Sequence, residues 1–153
     1  MSKQLFLIRH AHRDTADGRT LDNGLSDKGK KQADIIEKYF RDVDFDLEKT
    51  VLLSSPKKRC LETLAPLSKK IGIKIKIENL INEGSAMEFR VKEFFDWWKK
   101  DAPEVVILCS HGDWIPLAAY FFTGARIECK KGSIAEITGP MSSPILVNLI
   151  QKP

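Results

Sequence analysis

Leu5-Phe6-Leu7-Ile8 is an unbroken apolar run that stops on Arg9 and His10, and Val105-Val106-Ile107-Leu108-Cys109 is a second that stops on Ser110 and His111. Runs of this length without polar alternation predict strands covered on both faces, as in parallel sheets. A shorter run, Val51-Leu52-Leu53, leads into Ser54-Ser55-Pro56. Between these runs the period changes from two to between three and four. Ala33, Ile36, Phe40 and Val43 predict an amphipathic helix over about 27–42, capped by Ser26 with Asp27 in its first turn. Cys60, Leu64, Leu67 and Ile71 predict a second helix from near Lys57 to Gly72, with Pro66 expected to kink or shorten it. Met87, Val91, Phe94 and Trp98 mark a third that ends before Pro103, its aromatic stripe reading as core. A fourth covers about 114–123, with Pro116 tolerated in the first turn and Gly124 at the end. Ile73, Ile75 and Ile77 alternate with lysines and predict a short edge strand. Ser133–Thr138 and Ile145–Ile150 read as an antiparallel pair joined by a turn from Gly139 to Pro144. This alternation predicts an α/β protein: a three-layer α/β/α sandwich with a mainly parallel central sheet and an antiparallel C-terminal pair, forming a single domain over residues 1–153.

Open α/β sheets bind ligands beyond the carboxyl ends of their strands. Here those ends carry Arg9 and His10, Arg59 shortly after the third apolar run, and His111. Guanidinium forks match phosphate or carboxylate oxygens, so converging strand ends would form a small cationic pocket for a phosphoryl group. Gly112 opens the fourth helix and can add backbone N–H donors. In such a pocket His10 is a candidate nucleophile toward phosphorus, and Arg9, Arg59 and His111 are candidates to stabilise charge on the phosphoryl oxygens. No metal and no cofactor is called for.

Composition narrows the setting. Apolar residues make up 42% and charged residues 30%, as in globular proteins, and no apolar run approaches the roughly 20 residues that span a bilayer. The N-terminus lacks the apolar core of a signal peptide, so the expected location is cytoplasmic, without membrane association. Cys60, Cys109 and Cys129 have no CxxC spacing, which predicts reduced, buried thiols. The net charge of +4 is spread along the chain without interleaved aromatics, and no nucleic-acid partner is expected. None of the cysteines begins a Cys-x5-Arg loop, Asp42–Asp46 lacks the strand that precedes an aspartyl nucleophile, and no Gly-x4-Gly-Lys phosphate loop is present.

Leu7-Ile8-Arg9-His10-Ala11 resembles the Arg-His-Gly signature of the histidine phosphatase, or phosphoglycerate mutase-like, superfamily. Leu25-Ser26-Asp27-Lys28-Gly29 with Gln32-Ala33 is similar to that family's Leu-Thr-x-x-Gly-x-x-Gln-Ala helix start. Ser54-Ser55-Pro56 through Arg59 and Thr63 is similar to its Ser-Ser-Pro-x-x-Arg-x-x-x-Thr segment, and Ser110-His111-Gly112 to its second histidine motif. The resemblance implies that His10 is the phosphorylated nucleophile, Arg9 and Arg59 phosphate ligands, and His111 the second histidine. It also implies a glutamate acid; Asn82-Glu83 falls where that residue belongs, with Glu88 as the second candidate. Ala11 departs from the signature's glycine. His12, Arg13 and Ser55 are candidates for the pocket rim, with Lys57 and Lys58 beyond them.

The segment from residue 60 to 110 holds one strand and one helix, with no room for the lid-like insertions of mutases and sugar bisphosphatases of this superfamily. In size and layout the chain resembles the small bacterial phosphohistidine phosphatases. The expected function is metal-independent phosphate removal from phosphohistidine in a protein substrate. The alternatives are a broad-specificity phosphomonoesterase acting on small phosphorylated metabolites and a non-catalytic phosphoryl-binding module.

Overall fold

A computed structural model describes residues 2–153. The strands are β1 (Ser2–Arg9), β2 (Thr50–Ser54), β3 (Ile75–Ile77), β4 (Val105–Ser110), β5 (Ile134–Pro140) and β6 (Ile145–Ile150). The helices are α1 (Asp27–Arg41), α2 (Lys58–Ile71), α3 (Met87–Lys100) and α4 (Trp114–Thr123). One sheet runs β3-β2-β4-β1-β5-β6; the first four strands are parallel, and β5 and β6 are antiparallel to their neighbours. This is the expected α/β/α sandwich.

The apolar runs are continuous because both sheet faces are covered. Leu5 and Leu7 of β1 pack with Trp98, Trp114 and Phe122 of α3 and α4, while Phe6 and Ile8 pack with Ile36, Phe40 and Leu64 of α1 and α2. Each fully buried side chain of this kind contributes about 1.5–3 kcal/mol. The aromatic stripe of α3 is core, with Phe94 edge-on to Trp114 and Trp98 stacked on Phe122. Among the described residues, no helix is long and apolar enough to cross a membrane.

The parallel register places the functional strand ends level with one another. Arg9 lies opposite Ser110, and Ser54 opposite Cys109, so residues 10, 55 and 111 leave the sheet along one edge.

Three expectations need correction. Pro66 does not shorten α2, which continues to the left-handed cap at Gly72. The Ile73–Ile77 strand begins only at Ile75, because Ile73 directly follows that cap and its carbonyl accepts a bond from Ser68 Oγ. Gly139 and Pro140 belong to β5 rather than to the turn, since they pair with Lys3 and Ser2 at the start of β1. Those partners are distant in sequence and leave no local signal.

Candidate active site

β1 ends by delivering His10 into the pocket. Its backbone N–H donates to Ser110 O across the sheet, and its ring is 5% exposed. Nδ1 lies 2.8 Å from Ala11 O, and since a carbonyl can only accept, Nδ1 carries the proton and Nε2 keeps its lone pair. Burial pushes the imidazole down, the Ala11 bond opposes it, and His111, Arg59 and Arg9 add to the lowering, leaving a pKa of about 3. The ring is therefore neutral at physiological pH, the form that attacks phosphorus. The turn behind it is tied to α2: Thr63 Oγ1 accepts from Ala11 N at 2.9 Å and donates to Arg59 O at 2.7 Å.

Arg59 is 3% exposed, and its Nη2 meets Glu83 Oε1 at 2.6 Å. The same carboxylate oxygen lies 3.1 Å from His111 Nδ1. Asn82 Oδ1 accepts from Glu83 N and from Ser55 Oγ, which assigns the Ser55 proton and leaves Ser55 Oγ to accept from His111 Nε2 at 2.8 Å. Asn82 and Ser55 thus fix the imidazole with Nδ1 toward the pocket, its centroid 5.4 Å from that of His10. Arg90 ties the loop carrying Glu83 to α3 by donating to the carbonyls of Leu80, Asn82 and Ser85.

Arg9 donates from Nη1 to Cys129 O at 2.6 Å, and a Cβ at Gly112 would sit 2.6 Å from its Cζ. Glycine at 112 therefore allows the guanidinium to lie against the start of α4. Gly29 has a comparable reason: a Cβ there would approach His12 O to 1.9 Å, so α1 can pack under the β1 loop only without a side chain.

These groups line a cavity of about 360 Å³. Arg9, Arg13, Arg19, Arg59 and Lys131 surround His10 and His111, with Glu83, Asp113 and Gly112 completing the wall. Five cations face two carboxylates, and the Nε atoms of Arg9, Arg13 and Arg59 are buried without partners. Such a site suits a phosphoryl dianion. Burial raises the Glu83 carboxyl, but the Arg59 hydrogen bond and the His111 and Arg59 charges outweigh it, holding Glu83 below the usual carboxylate range.

Of the residues expected from the sequence, Arg9, His10, Arg59, Glu83, His111, Gly112 and Arg13 come together here. Ser55 is buried behind His111 rather than at the rim. His12 is not at this rim either: its Nδ1 meets Ser26 Oγ at 2.6 Å, and it lines a neighbouring groove. Lys57 and Lys58 are not in the pocket wall, Lys58 lining a groove with Asp22, and Glu88 is exposed on α3. The sequence reading missed Arg19, Lys131, Asp113, Asn82 and Arg90. Asn82, directly before Glu83, was the one with a visible signal. The cysteines are free and buried, as expected.

The His10 environment makes a pH prediction. Unfolded chains take up this proton below the ordinary 6.5, whereas the folded chain does so only near 3, so stability is lost as pH falls through that window. At pH 5 the loss from this group is about 2 kcal/mol. The drop in stability between pH 7 and pH 5, measured by denaturant unfolding, should be smaller by about that amount in His10→Asn. Equal drops would contradict the neutral, buried imidazole.

The model of the histidine phosphatase superfamily (branch 1) matches residues 5–89. No curated protein sequence is similar enough to match. An Escherichia coli protein with a proposed alpha-ribazole-5'-P phosphatase activity superposes with a TM-score of 0.85 at 17% identity, over 99% of this chain and 98% of that one. A mycobacterial glucosyl-3-phosphoglycerate phosphatase in complex with VO3 gives 0.78 at 14% identity, over 99% and 100%. A phosphoserine phosphatase from Entamoeba histolytica in complex with phosphoserine gives 0.76 at 14% identity, over 98% of each. At these identities the likeness is one of fold. The family match spans three of the four sequence motifs, including those that carry His10 and Arg59, and the chain belongs to the histidine phosphatase superfamily and is a phosphatase.

Proposed function

We propose that the protein is a metal-independent phosphatase that passes through a phosphohistidine on His10 and removes phosphate from phosphohistidine on a protein substrate. The observation carrying the substrate class is the pocket wall: none of its residues offers an aliphatic or benzenoid side chain. Small-molecule sites are predominantly apolar with a few polar groups. A wall of charges and imidazoles grips a phosphoryl group and little else, which suits a group displayed on a larger surface.

In the first step His10 Nε2 donates its lone pair to phosphorus and the bond to the leaving group breaks, the electron pair departing with the leaving atom. Arg9, Arg59 and the Gly112 N–H donate to the equatorial oxygens, and His111, which donates from Nε2 to Ser55, adds a donor at Nδ1 when its ring carries both protons. In the second step water attacks phosphorus and gives up a proton, the P–N bond breaks, and inorganic phosphate leaves neutral His10 behind. Glu83 is ionised in the empty site and cannot donate a proton there; it regains a proton only if bound phosphate draws Arg59 away. A phosphohistidine leaving group tolerates this, because its distal ring nitrogen takes a proton from solvent and the imidazole departs neutral. This reading also holds that the chain acts in the cytoplasm as one domain.

The second reading, a phosphomonoesterase of small metabolites, is favoured by the structural relatives, whose named substrates are small esters such as phosphoserine. An alkoxide leaving group needs the acid that phosphohistidine does not. The two readings separate in a metal-free assay of a phosphohistidine protein beside a panel of phosphomonoesters, with Glu83→Gln run against wild type. Preference for the phosphohistidine protein, changed less than about tenfold by Glu83→Gln, is expected. Faster turnover of an ester, lost in Glu83→Gln, would reassign the substrate and make Glu83 its acid.

A further inference from the structure

Next to the phosphoryl pocket lies a second groove of about 340 Å³ that shares Arg9 and Lys131 with it. Beyond those two residues its wall adds Lys28, Lys130, Lys152 and His12 and contains no carboxylate. Among the described residues, none of these lysines nor Arg9 has an Asp or Glu within ion-pair distance, although the chain carries 21 acidic residues.

The lysines of the groove come from three separate segments. Lys28 stands in the first turn of α1, Lys130 and Lys131 on the loop before β5, and Lys152 just after β6. Gln151 joins the last two, its Nε2 donating to Glu128 O at 2.7 Å and its Oε1 accepting from Lys130 N at 2.8 Å. Lys28, Lys130 and Lys152 are exposed, and Lys131 is half-buried between the two cavities. Burial first, then the charges of Arg9, Arg19, Arg13 and Lys28, push the Lys131 ammonium down, and burial with Lys131, Lys28 and Arg19 does the same to His12. Lys28 also weakens its own helix, since a cation in a first turn opposes the macrodipole. Concentrated like charge of this kind is unfavourable until an anion neutralises it.

We infer that this groove binds carboxylate side chains flanking the phosphohistidine of a protein substrate, so that the enzyme selects acidic surroundings as well as the phosphoryl group. The inference rests on the substrate class proposed above. Shared walls put the two anionic groups side by side, with Arg9 and Lys131 between them. Contacts of this exposed, salt-sensitive kind chiefly set partner choice and association rate.

The test uses two fluorescein-labelled, unphosphorylated peptides of equal length with a central histidine, one flanked by Asp and Glu, the other by Asn and Gln. Anisotropy at low ionic strength should give binding of the acidic peptide at least about tenfold tighter, a gap that closes at about 0.5 M salt. It should close as well in the folded Lys28→Gln/Lys130→Gln/Lys152→Gln variant, which leaves every residue of the phosphoryl pocket in place. Equal binding of the two peptides, or a gap that survives the triple substitution, would overturn the inference. So would a preference confined to small esters bearing a second anionic group. The phosphorylated peptides then report separately: hydrolysis of neither, with the binding gap intact, would remove the phosphohistidine substrate and leave the groove.

Discussion

His10→Ala is expected to lower turnover at least about 10³-fold and to abolish the trapped phosphoenzyme, because it removes the group on which both chemical steps depend. The imidazole is prepared for attack by the fold: β1 ends level with β4, Ala11 O takes the Nδ1 proton, and surrounding cations with burial keep the ring neutral down to about pH 3. The remaining Arg9, Arg59 and His111 still bind phosphate, so the variant should keep affinity for inorganic phosphate within a few-fold while losing kcat. That split distinguishes a lost nucleophile from a collapsed pocket. Mixing with labelled substrate followed by alkaline quench measures the intermediate, since phosphohistidine survives base and is lost in acid. A His10→Ala protein that still forms a base-stable phosphoenzyme would move the nucleophile to another residue.

How much of this site was legible beforehand depended on whether each residue reports on itself or on a distant partner. Arg9, His10 and His111 end apolar runs, and a run that stops on charge declares a strand end without any knowledge of its neighbours. The order of the strands was less visible: only the register of β1 against β4, and of β4 against β2, makes the three ends level. Arg19 and Lys131 sit in loops without periodicity, and nothing local distinguishes them from other surface cations until folding brings them into one wall. Lys3 is a sharper case. Nothing in its neighbours along the chain shows that its buried Nζ donates to Trp98 O at 2.6 Å and Ala102 O at 2.9 Å, capping α3 from the far end of the chain. His12 was a rim candidate only through its nearness in sequence to the nucleophile, and that nearness did not show that its Nδ1 meets Ser26 Oγ, the cap of α1, at 2.6 Å.

Arg59→Ala is expected to reduce kcat/KM by about 10²–10⁴-fold, more than loss of one phosphate ligand alone would cause. The guanidinium has two tasks, to meet phosphoryl oxygens and, in the empty site, to neutralise Glu83 at 2.6 Å. Without it the carboxylate remains beside His111, facing the place a dianion must occupy, and repels it. The excess should therefore be recoverable: Arg59→Ala/Glu83→Gln should exceed Arg59→Ala in kcat/KM, giving a non-additive cycle in which the second substitution helps only after the first. The pH dependence carries the same sign. Arg59 is a principal cause of the lowered Glu83 pKa, so its removal raises that pKa and lets the carboxyl take up a proton earlier on acidification. Between pH 7 and pH 5 the relative activity of Arg59→Ala should rise toward wild type as Glu83 loses its charge, while the double variant, lacking the carboxyl, should not gain in this way. Measured kcat/KM profiles of the four proteins decide the matter. A double variant no better than Arg59→Ala, with parallel pH profiles, would mean that Glu83 exerts no repulsion on the substrate and that Arg59 acts as a phosphate ligand alone.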